Sequence, residues 1–181
     1  MELSILVALV GGVFVAFSAL INKHTEICKM ENDDLSNLKK EVHEFYVSGS
    51  NMVFSINWNA EIENLLNPEL GSSEYTLKMY EKTIEKAVVL SSELSSKEDV
   101  RSGDKIFLKA RVHKRKCILA LRGLESFNGD MNDLESVKKS FFHAHEVLNL
   151  YLVSKRKSVR SLRREIFLLF VIVVLILMVS L

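Results

Sequence analysis

The chain has 181 residues, of which 24 are Lys or Arg and 23 are Asp or Glu, so its net charge is close to zero. A near-neutral chain gives no general electrostatic reason to bind nucleic acid, and two cysteines, Cys28 and Cys117, imply no disulfide framework. With one proline and seven glycines, the chain is poor in helix breakers, which predicts a mainly helical protein.

An uncharged apolar run opens the chain, from Leu3 to Ile21. As a helix it would reach about 28 Å, close to the thickness of a hydrocarbon core. A cleaved signal peptide is the alternative, but such peptides begin with basic residues, and only Glu2 precedes this run. We therefore predict an N-terminal transmembrane helix over 1–22. Small residues spaced four apart would let a helix of the same or another chain approach it closely, and these are Ser4, Ala8, Gly12 and Ala16.

The next stretch has the periodicity of a helix that packs along a narrow seam. The a/d pattern continues over three heptads, and its members are Leu35, Leu38, Val42, Phe45, Gly49, Met52 and Ile56. The Asn32-Asp33-Asp34 triplet offers an N-cap for a fresh helix, although nothing forces a stop before it. Pro68 is expected to end the helix. The seam faces either the fourth helix of the same chain, which we favour, or a neighbouring subunit.

Three more amphipathic helices follow. The second is expected to start at the Gly71-Ser72-Ser73 turn, with Leu77, Tyr80, Ile84, Ala87, Val88, Ser91 and Leu94 inside. The third buries Ile106, Ala110, His113, Cys117, Leu121 and Leu124. The fourth starts at the capping-box-like pair Asn132 and Glu135 and buries Leu134, Val137, Phe141, Ala144, Leu148 and Leu152. With no Pro or Gly after Asp133, it should run unbroken to the C-terminus.

A dense basic cluster directly precedes a second apolar run, Ile166 to Leu181. Its members are Lys155, Arg156, Lys157, Arg160, Arg163 and Arg164. Lys and Arg resist translocation and attract anionic headgroups, so the cluster marks a membrane interface on the cytoplasmic side. The run would give a short transmembrane helix of about 24 Å. The expected partner is a lipid bilayer with anionic headgroups.

The predicted fold is all-α: an antiparallel four-helix cytoplasmic bundle whose first and last helices connect to two transmembrane helices. The predicted segments are an N-terminal transmembrane helix (1–22), the bundle (23–154), a basic juxtamembrane segment (155–165) and a C-terminal transmembrane helix (166–181). Both termini would lie outside and the central domain in the cytoplasm, at a bacterial inner membrane.

No enzymatic motif is present: the sequence has no phosphate-binding loop, nucleophile elbow, His-Glu-x-x-His or Cys-x-x-Cys. His143 and His145 point about 200° apart on a helix and cannot ligate one ion. His113 and Cys117 share a face, but two ligands do not make a metal site. We therefore expect no catalytic residues, no metal and no cofactor.

Six cations decorate the third helix, Lys109, Arg111, Lys114, Arg115, Lys116 and Arg122. Without interleaved aromatic residues they do not predict a nucleic-acid partner. The expected function is that of a non-enzymatic membrane-anchored protein that acts by assembly, as a subunit or adaptor of an inner-membrane complex, with a homo-oligomer or a membrane protein as partner. One alternative is an oligomeric pore-forming or membrane-perturbing effector. The other is a membrane-tethered RNA-binding or ribonuclease-like bundle, although no arginine precedes a histidine at the Arg-x4-6-His spacing.

Overall fold

The computed structural model describes residues 2–65, 73–97, 105–125 and 134–180. Side chains are described within 11–58, 75–97, 108–124 and 135–176, and for Met178. The described residues form four helices and no strand: α1 (Glu2–Leu65), α2 (Ser73–Ser96), α3 (Lys105–Glu125) and α4 (Leu134–Ser180). The predicted all-α helical bundle is confirmed. The chain divides into two compact units, one of residues 36–155 and one of residues 1–35 with 156–181.

The two long helices, α1 and α4, are each continuous. Between Leu134 and Ser180 there is no Pro or Gly, so nothing interrupts the backbone hydrogen bonds of α4. The Asn32-Asp33-Asp34 triplet does not start a new helix, and α1 passes through it. Cys28 and Leu35, one heptad apart on either side of the triplet, are both buried. The helix therefore keeps one packed face through the triplet, which favours helical over capping geometry.

The core of the unit formed by residues 36–155 draws on all four helices. Its largest fully buried side chains include Phe45 and Met52 of α1, Leu90 of α2, Leu121 of α3 and Phe141 of α4. Such burial contributes about 1.5–3 kcal/mol for each large apolar side chain, which makes this core the main source of stability.

Contacts along α1 show that it runs antiparallel to both of its neighbours. Moving along α1 from Ser48 to Ser55, the bonded partners on α2 run backwards, from Thr83 to Thr76. Moving from Tyr46 to Asn57, the partners on α4 likewise run from His145 back to Lys138. These are the helix directions expected of a bundle with short connections.

α1 and α4 approach each other closely where Gly49 faces Phe141. A Cβ atom built on Gly49 would overlap the Cε2, Cζ and Cδ2 atoms of the Phe141 ring. The ring is fully buried, and its centroid lies 5.4 Å from that of Phe45. Glycine is therefore required here because the aromatic ring occupies the space of a side chain.

The inward face of α2 includes Ala87, Ser91 and Leu94, as predicted, but differs from the predicted face at other positions. Leu77 and Val88 are exposed, whereas Thr76 and Thr83 are fully buried. Threonine can be buried when its hydroxyl group is bonded, and Thr76 Oγ1 lies 2.6 Å from Ser55 Oγ of α1. The bonded hydroxyl groups thus extend the buried face beyond the residues that apolar periodicity indicated.

The predicted transmembrane helices over 1–22 and 166–181 are not supported. Among the residues that the structure describes, no helix combines the length and the apolar character needed to cross a membrane. The apolar part of α4 follows directly on Arg164 and Glu165, and that of α1 ends at Asn22 and Lys23. The side chains of residues 1–10 and 179–181 lie outside the described part of the chain.

Candidate functional site

The basic cluster of α4 forms one cationic face. Arg156, Lys157, Arg160, Arg163 and Arg164 are all exposed, and at about 100° per residue they fall within an arc of roughly 120°. On the opposite side of the helix Ser158, Val159 and Leu162 are buried. Lys155 does not belong to this face, since it is half-buried.

The cationic face belongs to the compact unit of residues 1–35 and 156–181, to which α1 contributes residues 1–35. Within residues 1–35 of α1, the buried apolar side chains among those described are Cys28 and Leu35. The Arg163 guanidinium donates a hydrogen bond of 3.0 Å to Asn32 Oδ1. This bond engages one member of the cationic face with α1 and fixes its direction.

Large apolar side chains follow the cationic face along α4. Phe167, Leu168, Phe170, Leu175 and Met178 are each more than half exposed. In α1 of the same unit, Val13, Phe14, Val15 and Leu20 are exposed as well. Contiguous exposed apolar side chains of this size mark a surface that contacts protein or lipid.

The predicted small-residue stripe lies partly outside the description, since the side chains of Ser4 and Ala8 are not described. Gly12 and Ala16 are exposed. A Cβ atom at Gly12 would meet no other atom within 4 Å. At Gly12, therefore, no other helix in the described part of the chain fills the space beside the stripe.

The predicted seam of α1 lies inside its own chain. Every predicted packing residue of the seam is buried, namely Leu35, Leu38, Val42, Phe45, Met52 and Ile56. All but Leu35 belong to the core of the unit formed by residues 36–155. These positions are occupied by intramolecular packing, which leaves them inaccessible to a neighbouring subunit.

A different face of α1 is open and was missed by sequence reasoning. Val47, Phe54 and Trp58 are exposed on the side opposite Phe45 and Met52. The Phe54 and Trp58 rings stack with their centroids 6.1 Å apart. The sequence signal was available, because no Asp, Glu, Lys, Arg or His occurs from Phe45 to Ala60.

The six cations of α3 do not share one environment. Lys109, Arg115, Lys116 and Arg122 are exposed, and Arg111 is half-buried. Lys114 is buried, and its ammonium group donates a hydrogen bond to the backbone carbonyl of Lys97, directly after α2. A lysine that satisfies the carbonyl at a helix C-terminus stabilises that end, so Lys114 has a structural role.

Cys117 and His145 make structural contacts, whereas His113 is half-buried and its Nδ1 atom has no hydrogen-bond partner among the described residues. Cys117 is fully buried, its thiol donates to the Val147 carbonyl at 3.3 Å, and burial raises its pKa to about 12. Burial lowers the pKa of His145, whose ring lies tilted against the Tyr46 ring with the centroids 4.4 Å apart. The described residues contain no group of three His, Cys, Asp or Glu side chains placed to hold a metal ion.

In comparisons with known proteins, no family model, no curated protein and no solved structure matched the chain.

Proposed function

We propose that the chain is a non-enzymatic, membrane-anchored helical protein that acts by assembly, as a subunit or adaptor of an inner-membrane complex. The observation that supports this most directly is the arrangement on α4, where an exposed cationic face is followed at once by exposed apolar side chains. Cations at the headgroup level and apolar side chains in the acyl region are the two halves of a membrane anchor.

The two terminal segments enter lipid in this proposal. The run from Leu3 to Ile21 carries no charge, and neither does the run from Ile166 to Leu181. Arg156, Arg160 and Arg164 then lie at the anionic cytoplasmic leaflet, where each contributes about 1 kcal/mol of attraction. The termini are outside and residues 36–155 are in the cytoplasm.

The anchor is tested by neutralising the cationic face. Arg156, Arg160 and Arg164 are replaced together by Gln, and the membrane-bound fraction of the full chain is measured on vesicles with and without anionic lipid. The triple variant should lose the preference for anionic vesicles. A matched control replaces three exposed cations of α3, Lys109, Lys116 and Arg122, by Gln and should behave as the native chain. Equal behaviour of the two triple variants would refute the proposal.

Topology is tested separately, with reporters fused after Leu181. Alkaline phosphatase, which is active only outside the cytoplasm, should be active at this position. A fluorescent reporter that matures only in the cytoplasm should stay dark. The reverse pair of results would exclude the proposed hairpin.

Assembly through the first segment is tested at Gly12. Leu at this position adds a branched side chain where no described residue outside the same turn of α1 lies within 4 Å of the new Cβ atom, so folding should be unchanged. Crosslinking between chains should fall, because small residues allow close helix approach in lipid. Val13 is exposed on a neighbouring face, and Val13→Leu should have little effect. If the two variants crosslink alike, the stripe is not an assembly surface.

A further inference from the structure

We propose that the outward face of α1 around Val47, Phe54 and Trp58 is a two-fold docking surface for a second copy of this chain. These side chains are 44%, 66% and 53% exposed. They lie on the side of α1 opposite its buried seam, and the core does not use them. The inference deepens the assembly part of the proposed function and names its partner.

The spacing of the face is that of a helix-packing seam. Val47, Asn51, Phe54 and Trp58 follow one another in steps of four, three and four residues, and all are exposed. This is the interval at which side chains line one stripe of a helix. α1 therefore has two seams: the inner one is filled by its own chain, and the outer one is open.

The lack of charged residues in this segment limits the class of partner that can bind the outward face of α1. From Phe45 to Ala60 the sequence has no ionisable acid or base apart from the Tyr46 phenol. An anionic membrane surface or a nucleic acid would need free cations beside the apolar side chains. This segment of α1 has none, and the neighbouring Lys138 of α4 is bonded to Asn57 and paired with Glu135. A neutral face can meet its own copy without like-charge repulsion, and the depletion of charge with enrichment of aromatic residues is typical of the centre of a protein interface.

Shape agrees with an antiparallel pair of α1 helices about a two-fold axis. In such a pair the seam is symmetric about the midpoint between Asn51 and Phe54. Val47 of one copy then faces Trp58 of the other, and Asn51 faces Phe54. The small side chain meets the large one at each pairing, so the two faces interdigitate as an isologous interface requires.

The exposed area supports an interface centre. Phe54 and Trp58, taken at about 200–250 Å² each, leave on the order of 250 Å² uncovered per copy. A standard interface buries about 800 Å² per partner, so these two rings supply roughly a third of it. Aromatic anchors of this kind carry a disproportionate share of binding energy.

A charge-swap experiment at Asn51 tests the docking surface without touching the core. Asn51 is exposed, so neither Lys nor Glu there should alter folding. In a homodimer, Asn51→Lys places two ammonium groups near the axis and should weaken dimerisation by about tenfold or more. Asn51→Glu should do the same. An equimolar mixture of the two variants should dimerise again, because each pair near the axis is then of opposite charge.

The measurement is the mass of the full chain in detergent micelles by analytical ultracentrifugation over a concentration series. Trp58 is the single tryptophan, so its emission should shift to shorter wavelength as the native chain dimerises and stay unshifted in the Asn51→Lys chain. Ser92→Lys, on the exposed side of α2, is the matched control and should dimerise as the native chain. A monomeric native chain, an Asn51→Lys chain that dimerises normally, or a mixture that stays monomeric would each overturn the inference.

The same variants separate this inference from the anchoring proposal. Asn51 lies outside the cationic face of α4, so the Asn51→Lys chain should remain in the membrane fraction. Failure of anchoring would show as loss of the native chain from membranes. Failure of the docking surface would show as an unchanged mass for the Asn51→Lys chain.

Discussion

Gly49→Ala is expected to destabilise the bundle, although alanine is the better helix former. In an open helical position the substitution stabilises by about 1 kcal/mol. Here the new methyl group would overlap the Phe141 ring. Phe141 is fully buried and packs on Phe45, so the ring cannot move away without displacing another core side chain. Overpacking of this severity costs about 3 kcal/mol, which leaves a net loss of about 2 kcal/mol.

Gly123 provides a matched control for this prediction. It lies within α3, and a Cβ atom there would meet no described residue outside its own turn of the helix within 4 Å. Gly123→Ala should therefore raise stability by about 0.5–1 kcal/mol, through helix propensity alone. The free energy of unfolding should therefore fall in the Gly49→Ala chain and rise in the Gly123→Ala chain, although the chemical change is identical.

The assay is urea unfolding of the full chain, followed by circular dichroism. A double variant, Gly49→Ala with Phe141→Leu, should lose less stability than the sum of the two single variants, because the smaller side chain vacates the space that the methyl group needs. A Gly49→Ala chain as stable as the native protein, or strict additivity in the double variant, would refute the proposed close packing of α1 and α4.

Three further predictions concern buried polar groups. Ser55→Ala should cost about 0.5–1.5 kcal/mol in urea unfolding because it removes the hydrogen bond to the Thr76 hydroxyl. Thr76→Val should then cost less in the Ser55→Ala chain than in the native chain, and equal losses in the two chains would contradict the pairing. Cys117, with its pKa raised to about 12 by burial, should resist maleimide at pH 7.5 in the folded chain and react on unfolding, as followed by mass spectrometry. Burial holds the pKa of His145 below its ordinary value of 6.5, so the unfolded chain binds the proton more readily and stability should fall as pH drops below about 6.5. His145→Gln should flatten this part of the pH profile, and a flattening of equal size in His143→Gln, at an exposed position, would contradict the assignment.

Helical periodicity located the buried sides of α1, α3 and α4 because their inward residues are mainly apolar. Met52, Leu121 and Leu148 are examples, all fully buried. For α2 the pattern found Ala87 and Leu94 but missed Thr76 and Thr83, which are also buried. Their burial depends on hydroxyl groups of α1 that lie 21 and 35 residues away in the sequence. No pattern within one helix records such a partnership.

The sequence likewise predicted one of the candidate surfaces and missed another. The cationic face of α4 could be predicted, since Arg156, Arg160 and Arg164 recur at helical spacing within one short segment. The outer seam of α1 escaped notice because apolar periodicity was assigned to its inner seam, and one helix was expected to have one apolar face. Lys114 was grouped with the other cations of α3, although it is buried. Its hydrogen bond goes to the Lys97 carbonyl directly after α2, and the sequence of α3 alone does not indicate where that carbonyl lies.

The paired hydroxyl groups between α1 and α2 have a consequence for the order in which the bundle opens. The Thr83 hydroxyl donates to the Met79 carbonyl at 2.8 Å, so the Ser48 hydroxyl, 3.2 Å away, is the donor between the two helices. Water can replace these bonds at little loss, whereas nothing in water replaces the contacts of Phe141. Amide hydrogens of α2 from Thr76 to Thr83 should therefore exchange with solvent through a partial opening of the bundle, at a lower free energy than those of α4 around Phe141. Native-state hydrogen exchange would then resolve this part of α2, which precedes the buried Leu90, as the first segment to detach.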